Sequence, residues 1–330
     1  MDTALRSFLF LAASGLALGC TPEETTSSGG GSAGSTSSGG GGAGGATTSS
    51  TSDTGGGGTE PGLSTLKTQV GPLTIGSGEE AVKCIIVDLG NPDPVLVRKF
   101  RTTLNEGSHH MIVYKTDLPP EPTPFACQSF GAQGGAAIFI AQQAQSELVF
   151  PTDPSGTPVG LELAPHQGLT LEVHYINATA APLDVKGTIE MDVLPATANV
   201  IKSGFAFLGN LSIPTIPAHG EADTGVIFQQ MVPGTHVFAL TTHQHHLGTR
   251  MQVWQATDTS DLSTPVADST SWSDPPLETY DPPLDFPADG SKGMAYQCHW
   301  KNPTDQAVSG GLSANDEMCF FWNYFYPSGE

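Results

Sequence analysis

Basic residues are scarce in this chain of 330 residues: Lys and Arg number 12 against 33 Asp and Glu, a formal net charge of -21. A surface of that sign repels phosphate backbones, which excludes nucleic acid as a partner class. Charge of either sign is thin, at 14% of residues, and most of the acid reads as a solubilising surface. Also missing is any long segment with a 3.6-residue apolar period, so little helix is expected. The apolar run Phe8–Leu18 is too short to span a bilayer. Cysteine is limited to five positions, 20, 84, 127, 298 and 319.

That short apolar run follows Arg6 and ends in Leu16-Ala17-Leu18-Gly19-Cys20. The ending resembles a bacterial lipobox, whose cysteine is acylated and starts the mature chain. Residues 1–19 are therefore expected to be a lipoprotein signal peptide, with Cys20 lipidated. From Cys20 to about residue 62 the chain is almost only Gly, Ser, Thr and Ala. Such a segment buries too little apolar area to offset chain entropy, and it reads as a flexible tether. A phosphate-binding glycine loop is excluded, because no lysine and no strand-to-helix pattern accompanies the glycines. Thr21 rather than Asp resembles outer-membrane sorting, so the expected location is outside the cytoplasm: outer membrane, cell surface or periplasm. With Cys20 lipidated, an even number of cysteines remains, which in an exported protein predicts disulfides. Four cysteines allow about three pairings; the nearest-neighbour one is Cys84–Cys127 with Cys298–Cys319.

From about residue 68 onward, short alternating apolar runs are bounded by Gly, Pro, Asn and Asp. AVKCIIVDL, HHMIVYKT, LTLEVHYIN and MCFFWNYFYP are examples. The pattern predicts an all-β protein of antiparallel sandwiches. A break near Leu194–Ser203 divides it into residues 63–196 and 197–330.

Four stretches carry candidate chemistry. In LTTHQHHLGTRMQVW, His243 and His245 share one face of a strand while His246 points away. Two neutral imidazoles side by side suit copper or zinc, although an HxH pair alone is more often a satisfied structural pair. A cupin lacks its glutamate here, and a blue-copper site lacks a free thiolate. In GSHHMIVY, adjacent His109 and His110 would face opposite sides of a regular strand. They can share a metal only if the strand start is irregular, as Gly107-Ser108 permits. In LTLEVHYIN, His174 shares a face with Thr170 and Glu172. In NDEMCFFWNYFYP, Met318 shares a face with Phe320 and Trp322, where a methionine is usually core packing.

Taken in order, HHM, VHY, HxHHLG and DEMC resemble the copper type II, ascorbate-dependent monooxygenases. That family includes peptidylglycine α-hydroxylating monooxygenase and dopamine β-monooxygenase. The resemblance runs from about residue 68 to 327. It implies two antiparallel jelly-roll-like β-sandwich domains with a copper-containing cleft between them. It implies two copper ions per chain: an electron-transfer copper on His109, His110 and His174, and an oxygen-binding copper on His243, His245 and Met318. The implied reaction is hydroxylation of a substrate C–H bond with O2 and a one-electron reductant such as ascorbate. The bridge Cys298–Cys319 fits the family pattern; Cys84–Cys127 rests on parity.

Departures bear on the substrate. Where the peptide enzyme has an arginine two residues before HxH, this chain has Thr241. Its asparagine and tyrosine after the methionine are Phe320 and Trp322 here. Those three residues are the expected substrate surface, and they cannot supply a charge-assisted carboxylate clamp. A small apolar or aromatic substrate is expected instead. The family glutamine two residues before the VHY histidine is Glu172. The chain is expected to work as a monomer, with a lipid anchor in the membrane and a small molecule as its substrate. The competing readings are a non-catalytic copper-binding surface lipoprotein and a partner-binding sandwich with incidental histidines.

Overall fold

The structure is a computed structural model that describes residues 49–51, 62–130, 135–196, 199–313 and 315–328. The expected signal peptide at 1–19, Cys20 and most of the 20–62 tether lie outside the described residues. The described residues fall within one compact unit, Ala43–Glu330. They are all-β, and the strands pair antiparallel apart from one short parallel pairing; one isolated bridge, Gly310 with Glu317, is also parallel. Among them, no helix is long and apolar enough to cross a membrane.

Four sheets build the molecule. The first contains β1 (Ser49–Thr51), β2 (Ser64–Ile75), β4 (Val95–Leu104), β8 (Gln145–Val149), β9 (Val159–Leu163), β11 (Leu183–Pro195) and β12 (Ile201–Lys202). The second runs β6 (Glu121–Ala126), β3 (Glu80–Asp88), β10 (Gly168–Ile176), β5 (Ser108–Thr116), β7 (Gly135–Ala141). The third runs β13 (Gly204–Asn210), β21 (Cys319–Tyr326), β16 (Thr235–His243), β19 (Leu277–Phe286). The fourth contains β14 (Glu221–Asp223), β15 (Ile227–Gln230), β17 (Gly248–Ala256), β18 (Ala267–Ser269) and β20 (Gly293–Lys301). Strand β12 joins the first sheet through β9, so pairing crosses the expected boundary at 196–197.

The two-residue side-chain period of a strand explains how four sheets stack. On β10, Leu169, Leu171, Val173 and Tyr175 enter the first core, against Val70 of β2 and Ile189 of β11. The intervening Thr170, Glu172 and His174 turn to the opposite face and are buried there too. On β21, Cys319, Phe321 and Phe325 enter the second core with Val253 and Trp300. Its even-numbered residues turn the other way: Trp322 packs with Ile112, Tyr114 and Ile140, while Tyr324 and Tyr326 reach the first core. Every residue of β21 is consequently buried. The inner strands β10 and β21 of the second and third sheets therefore have two buried faces, and their outer faces meet.

Polar groups fasten that meeting. The backbone N–H of Ile140, on edge strand β7, donates to the Tyr324 hydroxyl at 3.2 Å. Gln142, just beyond β7, donates from Nε2 to Thr241 Oγ1 (3.0 Å) and to the Thr242 carbonyl (2.8 Å). A buried edge must find such partners, because an unpaired amide away from water is costly.

Both expected disulfides are present. Cys84 of β3 is bonded to Cys127, and Cys298 of β20 is bonded to Cys319 at the start of β21. The second bridge ties the two sheets of the later half together one residue after Met318. Its 21-residue separation corresponds to about 3 kcal/mol of loop-closure stabilisation. Replacing Cys298 and Cys319 together by Ala should lower the free energy of urea unfolding by about that amount. A loss below about 1 kcal/mol would show that the loop is held without the bridge.

Candidate metal centre

A register shift places the first histidine pair. Along the β10–β5 pairing, His174 lies opposite His110, but Tyr175 lies opposite Ser108. His109 is thus the extra residue of a β-bulge, and the turn before it uses Gly107 at φ 85°. The bulge removes the alternation that would send His109 and His110 to opposite faces. Ring centroids are 5.0 Å apart for His109–His110, 5.3 Å for His109–His174 and 5.1 Å for His110–His174. The later pair sits at the end of β16, where His243 lies opposite Phe320 and Thr241 opposite Trp322. The His243 and His245 rings are 5.2 Å apart.

The structure brings these two sets together. His109, His110 and His174 form one group whose ligand atoms all lie within 4.8 Å of one another; His109, His243 and His245 form another. The His243 ring is 5.6 Å from both His109 and His110. The structure does not show the copper-containing cleft that the resemblance implies. The outer sheet faces pack directly through Trp322, Tyr324 and Gln142, and that packing draws the histidines into one cluster.

The hydrogen bonds show which nitrogens are left to bind an ion. His243 Nδ1–H donates to Gln142 Oε1 at 2.6 Å, His245 Nδ1–H to the Asp316 carbonyl at 2.9 Å, and His174 Nε2–H to Glu80 Oε1 at 2.8 Å. In each ring the other nitrogen is buried and unpartnered: Nε2 of His243, Nε2 of His245 and Nδ1 of His174. Both nitrogens of His110 are likewise without a hydrogen bond. A donor on one nitrogen fixes the tautomer and leaves a lone pair on the other, as metal-binding histidines require. Burial pushes the pKa of all five rings down, and neighbouring imidazoles push those of His109, His110 and His243 further. The rings are therefore neutral at pH 7, the form that ligates. These residues fit a borderline metal ion such as copper.

Met318 is fully buried immediately before β21. Two acidic neighbours hold this corner, and sequence reasoning did not single them out. Besides the Asp316 carbonyl, the buried Glu317 carboxylate accepts from His245 N (3.0 Å), Leu247 N (2.7 Å) and Trp300 Nε1 (2.9 Å). Gln142 and Glu80 were missed as well. Their signal lies in strand pairing: Glu80 is opposite Ile176, two residues from His174 on the same face.

Glu172 is wholly buried on the face of His174. It accepts from Tyr114 Oη (2.9 Å), Ser129 Oγ (3.2 Å) and Phe130 N (3.0 Å). Burial raises its pKa. Its hydrogen bonds anchor Phe130, whose ring lies 5.1 Å from His110 and 5.3 Å from His243. Of the expected substrate residues, Thr241 is occupied by Gln142. Phe320 stacks on Phe207 at 4.2 Å, and Trp322 packs against Phe130 and Phe207. They form a closed aromatic wall on one side of the histidines. On another side, a cavity of about 240 Å³ reaches His109 and His245 and is lined by Glu80, His246, Trp272 and Asn315. The remaining histidines read as structural: His166 and His219 sit at φ 50° and 53° beside Asp88 and Asp305, and His236 pairs with Asp285.

An all-β sandwich with two histidine triads at the junction of its halves is a class that family comparison narrows further. Residues 197–330 match the family model of the copper type II ascorbate-dependent monooxygenase, C-terminal domain. The resemblance read from HxHHLG and DEMC is thereby shown for this part of the chain, and it supports a monooxygenase-like function in general terms. Among solved structures, the chain is similar to the major capsid protein P2 from bacteriophage PM2, at 10% identity and a TM-score of 0.27. That match covers 78% of this chain and 97% of the capsid protein, and at so low a TM-score it carries no argument.

Two outcomes follow. Because burial lowers the histidine pKa values in the folded state, the unfolded state binds more protons below the ordinary value of about 6.5. Metal-free protein should therefore lose stability as pH falls from about 7.5 to 5.5. Thermal unfolding across that range checks it; a flat profile would mean that the rings are not buried neutral. Glu317→Ala should lower unfolding free energy by about 3 kcal/mol or more, since it strands three buried donors. Urea titration of the variant gives the number.

Proposed function

We propose that the chain is a copper-dependent monooxygenase that hydroxylates a C–H bond of a small, apolar or aromatic substrate. The co-substrates are O2 and a one-electron donor such as ascorbate. The supporting observation is the buried histidine set with converging, unpartnered nitrogens, in a chain whose residues 197–330 match the family's C-terminal domain. In this reading His109, His110 and His174 hold one copper, and His243, His245 and Met318 the other. Imidazole suits both copper oxidation states, and a soft thioether favours Cu(I). When bound, copper supplies one-electron redox chemistry and activation of O2.

The chain's own residues then have definite work. Glu80, Gln142 and the Asp316 carbonyl hold three rings in the ligating tautomer. Phe130 and Trp322 keep water off the His110–His243 side. The Trp272-lined cavity admits a small molecule to His109 and His245. The overall balance joins one C–H bond, O2, two electrons and two protons to give the alcohol and water. The same reading has the protein exported, anchored through acylated Cys20 outside the cytoplasm, and working as a monomer.

A second reading, a non-catalytic copper-binding surface lipoprotein, is favoured by one observation. Thr241, Phe320 and Trp322 are all engaged in packing and offer no charged clamp. Copper stoichiometry and ascorbate-dependent O2 uptake over a panel of small aromatic substrates separate the two. The monooxygenase should bind two coppers and couple reductant to hydroxylated product. His243→Ala should cut that product at least about 100-fold, the scale of losing a metal ligand's activation. Two bound coppers with no coupled product from any substrate would favour the second reading.

A further inference from the structure

We infer that His109 also ligates with His243 and His245, making a metal site that joins the earlier half of the chain to the later one. This rests on the reading that the cluster binds metal at all. His109 belongs to both compact triads, whereas His110 and His174 belong to only one. The cause is the bulge. It frees the His109 ring from the sheet face and puts it 5.6 Å from His243 and 6.1 Å from His245. His243 and His245, both at most 2% exposed, aim unpartnered Nε2 atoms into the same space. Their Nδ1 atoms are already committed to Gln142 and Asp316, so their lone pairs have no other protein partner. The cavity beside His109 and His245 leaves a side from which an ion and a further ligand can enter.

Three neutral imidazoles with an open position suit Zn2+ or Cu(I). Such an ion would staple β5 to the end of β16, where the second sheet is otherwise held by the hydrogen bonds of Gln142, just beyond β7. It would also couple the two triads, because an imidazole nitrogen given to one ion is withdrawn from the other. A second equivalent of metal then binds more weakly than the first.

The test uses full-length protein and Zn2+ as a redox-silent probe. His110→Ala with His174→Ala removes the private ligands of the first triad. That double variant should keep one Zn2+ and a zinc-dependent rise in unfolding temperature. Adding His109→Ala should weaken the remaining site at least about tenfold and abolish the rise. If the triple variant binds zinc as tightly as the double, or the double binds none, the shared site is wrong. Should the alanine variants lack a cooperative unfolding transition, Asn replaces Ala at the same positions and the comparison is repeated. The two readings fail separately. Equal zinc affinity in the double and triple variants, with copper-dependent, ascorbate-coupled product from the wild type, sinks this site and leaves the proposed function. Zinc held by the double variant, with no ascorbate-dependent product from the wild type, does the reverse.

Discussion

Among the described residues, five imidazole nitrogens buried without a hydrogen bond, on His110, His174, His243 and His245, are the constraint around which this structure is arranged. An unsatisfied buried polar atom costs about 1–3 kcal/mol, and folded proteins rarely tolerate several together. Yet the chain goes further and spends good acceptors on the opposite nitrogens. Glu80, Gln142 and the Asp316 carbonyl each hold a ring by one nitrogen and leave the other bare. Such an arrangement lowers metal-free stability and raises metal affinity, because the lone pairs are desolvated and oriented in advance. An ion that bound only the folded state would return what the bare nitrogens cost and so link folding to its binding.

The strand period delivers those nitrogens. A strand with one wet face can place only alternate residues usefully. Here β10 and β21 have both faces buried, so odd and even residues serve different layers. Leu171 and Val173 fill a core while His174 and Glu172 face the junction. Phe321 fills the other core while Phe320 and Trp322 line the junction. The bulge at His109 adds a side chain that strict alternation would have sent inward. A hydrophobic core on either side thus fixes the ligands from behind, which loops could not do as rigidly.

Much of this was legible in the sequence. Alternating runs such as LTLEVHYIN gave the β class, and the irregular start at Gly107-Ser108 foretold that His109 and His110 could act together. Cysteine parity and order led to both bridges. What was not legible depends on contacts across strands or between the halves. Gln142 lies about a hundred residues from His243, and no local pattern marks an amide after an edge strand as its partner. Thr241, Phe320 and Trp322 read as an open substrate surface. Phe130, in the turn after β6, and Phe207 of β13 cover Phe320 and Trp322, and Gln142 covers Thr241. The copper-containing cleft that the resemblance implies is not shown, and one-dimensional patterns show which faces are apolar, not which apolar faces meet.

The substitution pattern around the cluster follows from that meeting. A charged clamp at position 241 would have to be buried against Gln142 and the outer face of the neighbouring sheet, with no water to solvate it. Thr241 instead offers a neutral acceptor to an amide, which is the polarity a dry junction tolerates. Glu172 obeys the same logic in reverse. It is an acid in a dry place, but it accepts from Tyr114, Ser129 and Phe130, and the last of these bonds holds Phe130 over the His110–His243 contact. Packing on that side leaves the Trp272 cavity as the opening by which a small molecule can reach His109 and His245. That opening is lined by the Trp272 indole together with His246, Asn315 and the Glu80 carboxylate.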